Sequence, residues 1–165
     1  MNAININPVD VQRVYAEADQ GGKSALSKLF DTSILQQSIT DRVKSYEDAC
    51  KAKGLNSELL PDNSMLPPGM AKALTAYAKL FIIAEAINEG WTPDYSDTDL
   101  PKYFPYFEVE ATEEQKGGIG FSFYGYDYGY ALSNTGSRLC FPDRDKALYF
   151  GETFADLFKD AYLIS

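Results

Sequence analysis

A short apolar strand that runs directly into an amphipathic helix is the feature that most constrains this chain. In residues 136–164 the run Leu139, Cys140 and Phe141 is followed by Pro142-Asp143 and then by a helical pattern. The apolar residues of that pattern recur at steps of three and four, at Ala147, Phe150, Phe154, Leu157 and Ala161. The spacing predicts a strand joined to a helix by two residues, and a unit against which the rest of the chain packs.

A second long apolar pattern predicts a central helix over residues 69–89. Pro67-Pro68 opens it, Gly90 ends it, and the ring of Trp91 is expected to fold back over its last turn. In the C-terminal helix, Gly151 lies on the core side, where alanine would favour the helix by about 1 kcal/mol. We therefore expect another backbone to approach closely at Gly151.

The N-terminal part of the chain predicts shorter helices. Asn7-Pro8 has the residue types of a helix start, Gly21-Gly22 is expected to stop that helix, and residues 24–30 form a second one. A third helix is predicted to begin at the N-cap residue Ser45 and to end at Gly54. Residues 31–40 lack periodicity and predict a boundary between these parts.

The aromatic half of the chain predicts strands. Residues 102–111 form one strand, with Pro105 at an edge or a bulge, and rings alternate with small residues from 119 to 130 around a break at Gly125. Because the period is two, one face is expected to carry the rings. A further strand at 138–141 would complete an antiparallel meander.

These elements together predict an α+β fold. We expect a small antiparallel sheet of three to four strands packed by helices, together with an N-terminal helical hairpin. The predicted units are residues 1–38, a hairpin that is either flexible or packed on the main domain, and residues 39–165, the α+β domain. At 165 residues the chain is long enough for one core.

Composition argues against several classes of function. The net charge of -9 disfavours binding to a phosphate backbone, which requires clustered Lys and Arg. Histidine is absent, so the side chain most often used in proton transfer and metal ligation is missing. Cys50 and Cys140 lie in apolar patterns and are expected to be reduced and buried. No signal peptide or long apolar run is recognised, which favours the cytoplasm and no membrane partner.

Four blocks of the sequence resemble a family of uncharacterised proteins encoded by phages and mobile elements of gut Bacteroidetes. The blocks are DRVKSYEDACKAKG (41–54), AYAKLFIIAEAINEGW (76–91), KYFPYF (102–107) and GSRLCFPDRDKALYFGETFADLFKD (136–160). The resemblance covers nearly the whole chain. It implies a genomic setting, and it supplies no activity, cofactor or site residue.

The candidate binding residues are aromatic, with one arginine. Residues 116–124 partly match the first ribonucleoprotein motif, in which sheet rings stack on bases, but acidic side chains surround them. Arg138 is expected to hold an anion or to pair with a carboxylate such as Glu108 or Asp143. The acids of the loop 94–99 are interpreted as turn residues rather than as a cation site. The full set is Trp91, Tyr103, Tyr106, Phe121, Phe123, Tyr126, Tyr128 and Arg138.

The sequence contains no recognised catalytic constellation, metal site or cofactor motif. The leading hypothesis is therefore a non-catalytic accessory protein of a phage or mobile element, which acts through a protein partner or through self-assembly. One alternative is binding of single-stranded nucleic acid through the aromatic sheet face. Another is an acidic decoy that mimics DNA, and an enzyme of unknown class stays open.

Overall fold

The computed structural model describes residues 8–35, 38–58, 60–111, 119–130 and 137–163. It divides the chain into two units, Met1–Arg42 and Val43–Ser165. The boundary between the two units follows Arg42, four residues after the predicted boundary at 38, and lies at the end of the last short helix of the first unit.

The first unit contains α1 (Pro8–Glu17), α2 (Gln20–Leu29), α3 (Thr32–Leu35) and α4 (Ile39–Arg42). The prediction that Gly21-Gly22 stops the first helix is wrong, because both glycines lie in the first turn of α2. Asp19 is the N-cap of α2, and its side chain accepts a hydrogen bond from Gly22 N at 2.8 Å. This cap begins a new helix at the glycines. The predicted start at Asn7 lies outside the described residues.

The second unit contains α5 (Tyr46–Lys53), α6 (Pro68–Asn88), α7 (Arg144–Thr153) and α8 (Ala155–Tyr162). The predicted caps of α5 are confirmed: the Ser45 side chain accepts from Asp48 N at 3.1 Å, and Gly54 adopts the left-handed conformation. The predicted central helix is confirmed as α6. It contacts α5 and α8, while α7 contacts both strands of the sheet.

The predicted C-terminal helix is divided into α7 and α8. Phe154 leaves helical geometry with φ -113° and ψ 24°, and its carbonyl accepts from Leu157 N at 3.0 Å. Phe154 nevertheless stays buried, as do Phe150 and Phe158 on either side of it. The break therefore redirects the chain while all three rings remain in the core.

The sheet consists of β1 (Lys102–Ala111) and β2 (Ile119–Gly129), which pair antiparallel. Within the described residues it has two strands, so the prediction of three to four strands is wrong. The expected strand at 138–141 is a 3₁₀ turn, Ser137–Leu139, followed by a single bridge between Phe141 and Tyr103. Pro142 has no N–H to continue a ladder, and Asp143 already caps α7, so the strand cannot extend.

A bulge keeps the aromatic rings of β2 on one face. The register shifts between Tyr106 and Phe107, so that Tyr124 and Gly125 together oppose Tyr106. The extra residue shifts the alternation by one position. Even-numbered side chains after the bulge therefore lie on the same face as odd-numbered side chains before it. Phe121 and Phe123 before the bulge, and Tyr126 and Tyr128 after it, therefore share a face, as the sequence predicts.

The face of the sheet that carries these rings packs on α7 and α8. Gly151 of α7 meets this face, as predicted, but side chains and not a backbone make the approach. A Cβ on Gly151 would collide with the Phe123 ring and would lie 2.6 Å from Pro105 Cβ. Glycine is therefore required by the space that the strand side chains occupy.

Candidate functional site

The structure separates the predicted binding residues into four groups. Phe121 and Phe123 face the helices. Tyr106 lies on the opposite side of the two-stranded sheet of β1 and β2, which we call the ribbon. Tyr103 contacts Tyr126 and Tyr128. Trp91 and Arg138 lie elsewhere, in the wall of one cleft. The sequence-based prediction places all of these residues in one candidate set.

The two phenylalanines of β2 are part of the internal packing. Phe121 stacks on Phe107 with ring centroids 4.8 Å apart, and Phe107 in turn lies 4.6 Å from Phe158 of α8. Phe123 packs against Phe107 and over Gly151. These rings bury apolar surface between sheet and helices, so their faces are not available for stacking on bases.

Tyr103, Tyr126, Tyr128 and Tyr130 form an exposed group that we call the tyrosine cluster. The Tyr103 ring lies 5.8 Å from Tyr126 and 5.9 Å from Tyr128, and Tyr128 lies 5.9 Å from Tyr130. The Tyr103 ring is tilted by 55° to Tyr126 and by 48° to Tyr128, whereas Tyr128 and Tyr130 meet edge to face at 89°. Side-chain exposure remains 37% for Tyr126 and 51% for Tyr128.

The bulge places a second tyrosine pair on the other side of the ribbon. Tyr106 and Tyr124 meet at 5.9 Å in an edge-to-face contact, and Tyr124 is 69% exposed. Both sides of the ribbon therefore present phenol groups. Of the charged residues that the structure describes in β2, Asp127 is the single one, and its Oδ1 accepts from Tyr128 N at 2.8 Å.

The cleft has a volume of about 540 Å³ and lies at the C-terminal end of α6. Its walls come from four places: the last turns of α6, the segment that follows it through Trp91 and Tyr95, the 3₁₀ turn that carries Arg138, and Lys53 at the end of α5. The Trp91 N–H donates to Asn88 O at 2.8 Å, which holds this segment against the helix end. That the Trp91 ring folds back over the last turn of α6 stays a prediction.

Charged side chains surround Glu85 at the cleft. Arg138 Nη1 lies 3.5 Å from Glu85 Oε1, and Lys53 Nζ lies 3.6 Å from Glu85 Oε2. Arg138 pairs with a carboxylate, as expected, but the partner is Glu85 and not Glu108 or Asp143. The 3₁₀ turn aims Arg138 at α6 instead, where its guanidinium also lies 5.8 Å from the Phe81 ring centroid.

Asn88 is the polar residue at the floor of the same region. Its Nδ2 donates to Cys140 O at 2.9 Å, which fixes the orientation of the amide, since a flipped amide would set two oxygens against each other. Its Oδ1 is buried and has no hydrogen-bond partner among the described residues. A buried acceptor without a donor costs about 1–3 kcal/mol.

The acids of the loop 94–99 serve as turn residues, as predicted. Asp94 Oδ1 accepts from Ser96 Oγ at 2.7 Å and from Ser96 N at 2.8 Å, and these bonds, the hydroxyl's more than the amide's, lower the pKa of the Asp94 carboxyl below its usual value. Asp97 Oδ1 accepts from Asp99 N at 2.9 Å. Across the described part of the chain, no group of three or more His, Cys, Asp or Glu side chains is placed to hold a metal ion.

Both cysteines are free thiols and are buried, as predicted. Burial raises the pKa of the Cys140 thiol, and the Tyr95 hydroxyl lies 3.8 Å from its sulfur. A raised pKa keeps the thiol protonated at neutral pH, which does not suit a nucleophile. Among the helices whose residues are described, none has the length and apolarity to cross a membrane.

Several residues at these sites were not in the predicted set. Asn88, Glu85 and Lys53 lie on helices whose patterns indicate only packing, so no spacing in the sequence relates them to Arg138. Tyr124 directly follows Phe123, so the alternation that selects Phe121 and Phe123 does not select it. The break at Gly125 is the sequence signal that could have indicated Tyr124, since a bulge at a glycine changes which side of the sheet the neighbouring residues face.

Comparison with family models, with curated proteins and with solved structures gives no match.

Proposed function

We propose that this chain is a non-catalytic interaction protein that self-associates through the outer edge of β2. The observation that carries the proposal is that β2 is an edge strand with three exposed tyrosines and one charge. Tyrosine is enriched at protein interfaces because it buries a large ring while its hydroxyl can still form a hydrogen bond. A setting in a phage or mobile element is proposed on the sequence resemblance alone.

The two edges of the ribbon differ in how they are protected. Tyr103 exchanges both of its backbone hydrogen bonds with Phe141, so its N–H and C=O point away from β2. Backbone groups alternate along a strand, so Pro105 also faces this outer edge and offers no donor there. The outer edge of β1 is thus blocked by a bridge and a proline.

The outer edge of β2 carries less protection. Tyr128 pairs with Tyr103 and Tyr126 pairs with Pro105, so the backbone groups of both tyrosines also point outward. The Tyr128 N–H already donates to the Asp127 side chain. β2 contains no lysine or proline, the residues that natural edge strands use against pairing. A second copy can therefore add its own β2 antiparallel, extending two strands to four.

Sedimentation equilibrium over a range of protein concentrations tests this proposal. We expect a reversible monomer–dimer equilibrium that Tyr126→Pro weakens by at least about tenfold, because it removes an outward N–H and a ring. Tyr128→Lys is a second variant that adds an edge charge, and we expect it to weaken the dimer similarly. Asp127→Ala is expected to strengthen the dimer, since it frees the Tyr128 N–H.

Met65→Lys is the matched control, because Met65 is a large exposed apolar side chain in a loop outside the ribbon. Circular dichroism of each variant shows whether the fold is intact. A single monomeric species at every concentration would contradict the proposal. So would a dimer that Met65→Lys weakens and the ribbon variants do not.

The alternative functions inferred from the sequence draw less support from the geometry. Nucleic-acid stacking would have to use the tyrosine cluster alone, because Phe121 and Phe123 face the helices. A filter-binding titration with single-stranded oligonucleotides at low salt measures this activity directly. The DNA-mimic hypothesis requires acids gathered on one face, and competition with duplex DNA for a DNA-binding enzyme is its test.

A further inference from the structure

The cleft at the end of α6 has the composition of a small-molecule site. Its volume of about 540 Å³ lies within the range of about 300–1,000 Å³ that ligand pockets occupy. It combines basic side chains, an aromatic wall and a buried polar atom that lacks a partner. Each of these features indicates one part of a ligand.

The charge balance of the cleft favours an anion. Arg138 and Lys53 both lie near Glu85, at 3.5 and 3.6 Å, so two cations share one carboxylate. The local excess of one positive charge stands out in a chain with a net charge of -9. Arg138 is 65% exposed, so its guanidinium can turn toward an incoming anionic group without breaking the core.

The buried amide favours a ligand with an N–H donor. Asn88 lines the cleft, its Nδ2 is committed to Cys140 O, and no donor from the described residues reaches its Oδ1. A ligand N–H that reaches Oδ1 removes the cost of burying that oxygen. Because the oxygen is closed to solvent, a side chain of the cleft wall must shift when the ligand enters.

The aromatic wall favours a planar ring. Trp91 and Tyr95 line the cleft within five residues of each other, and both are partly exposed. Nucleobases stack on such side chains whatever their identity, because every base has a π-face. An asparagine side chain also suits the hydrogen-bonding edge of a base.

We propose that this cleft binds a nucleoside monophosphate. The phosphate is held by Arg138 and Lys53, the base packs on Trp91, and an N–H of the base donates to Asn88 Oδ1. The site lies apart from the tyrosine cluster and does not depend on self-association. Adenosine and inorganic phosphate each satisfy only part of it and are expected to bind more weakly than the complete nucleotide.

Isothermal titration calorimetry with AMP, GMP, CMP and UMP tests the proposal. Trp91 is the one tryptophan of the chain, so its fluorescence gives an independent signal from inside the cleft. We expect saturable binding, a change in Trp91 emission, and a loss of at least about tenfold in affinity for Arg138→Gln. Lys53→Gln serves as a second variant and is expected to weaken binding in the same direction.

Arg144→Gln is the matched control, because Arg144 is 66% exposed and also pairs with a single carboxylate, Asp145. No saturation up to about 10 mM nucleotide would overturn the proposal. Equal losses for Arg138→Gln and Arg144→Gln would overturn it too, since they would indicate general electrostatics. Inorganic phosphate that binds as tightly as AMP would exclude the nucleotide. A 5′-phosphorylated oligonucleotide that binds more tightly than any mononucleotide would exclude a free mononucleotide as the ligand.

Discussion

At the scale of single residues, Gly151 shows how the sheet determines the sequence of the helix that covers it. The missing Cβ leaves room for Pro105 and for the ring of Phe123, whose neighbour Phe107 is itself packed against Phe158. A methyl group at this point has no space to enter, because protein cores are close-packed and yield little.

We expect Gly151→Ala to lower the free energy of unfolding by about 1–3 kcal/mol, as overpacking does in other cores. The gain in helix propensity, about 1 kcal/mol, offsets only part of this strain. Urea unfolding followed by circular dichroism measures the change. The neighbouring variant Glu152→Ala, at an exposed position of α7, should be nearly neutral. A Gly151→Ala protein as stable as the wild type would show that the ribbon can move away from α7.

At the scale of elements, the start of α7 depends on one side chain. Asp143 is its N-cap, and Asp143 Oδ1 accepts from Lys146 N at 2.8 Å. Asp143 directly follows Pro142. Because α7 begins there, the extended run ends at Phe141. The cap therefore fixes where the chain changes from bridge to helix.

Asp143→Ala is expected to cost about 1 kcal/mol of unfolding free energy, since it leaves a first-turn N–H without its acceptor. Asp145→Ala is the control, because Asp145 is also acidic and in the first turn but contacts only the exposed Arg144. The comparison is made by thermal and urea unfolding. Equal effects of the two variants would mean that charge near the helix end, and not the cap bond, provides the stability.

The elements differ in how well local sequence predicts them, and the reason is physical. α5, α6 and β1 match their predictions because caps, apolar period and alternation are local properties of the chain. The segment at 138–141 has the apolar residues of a strand, yet it forms a single bridge, because strand pairing depends on a neighbour elsewhere in the chain. Glu85, Asn88 and Arg138 come together for the same reason, through tertiary packing that no local spacing encodes.

At the scale of the whole molecule, buried phenol and thiol groups make stability depend on alkaline pH. Burial is the largest cause that raises the pKa of Tyr46 to about 12 and that of Tyr162 to about 12. Burial also raises the pKa of the Cys140 thiol. In the unfolded chain, thiols ionise near pH 8.5 and phenols near pH 10. The folded chain therefore holds protons at pH values where the unfolded chain has released them.

It follows that the stabilisation which these groups contribute is fully present below about pH 8.5 and is lost as the pH rises, most steeply between about pH 10 and 12. Urea midpoints measured at intervals from pH 8 to 11 show this slope. The net charge of -9 adds its own repulsion at high pH, so the difference between variants isolates the contribution of one phenol. Tyr162→Phe should make the fall shallower, whereas Tyr124→Phe, at the exposed ribbon position, should leave it unchanged. Parallel slopes for wild type and Tyr162→Phe would show that general charge repulsion, and not burial of this phenol, controls alkaline stability.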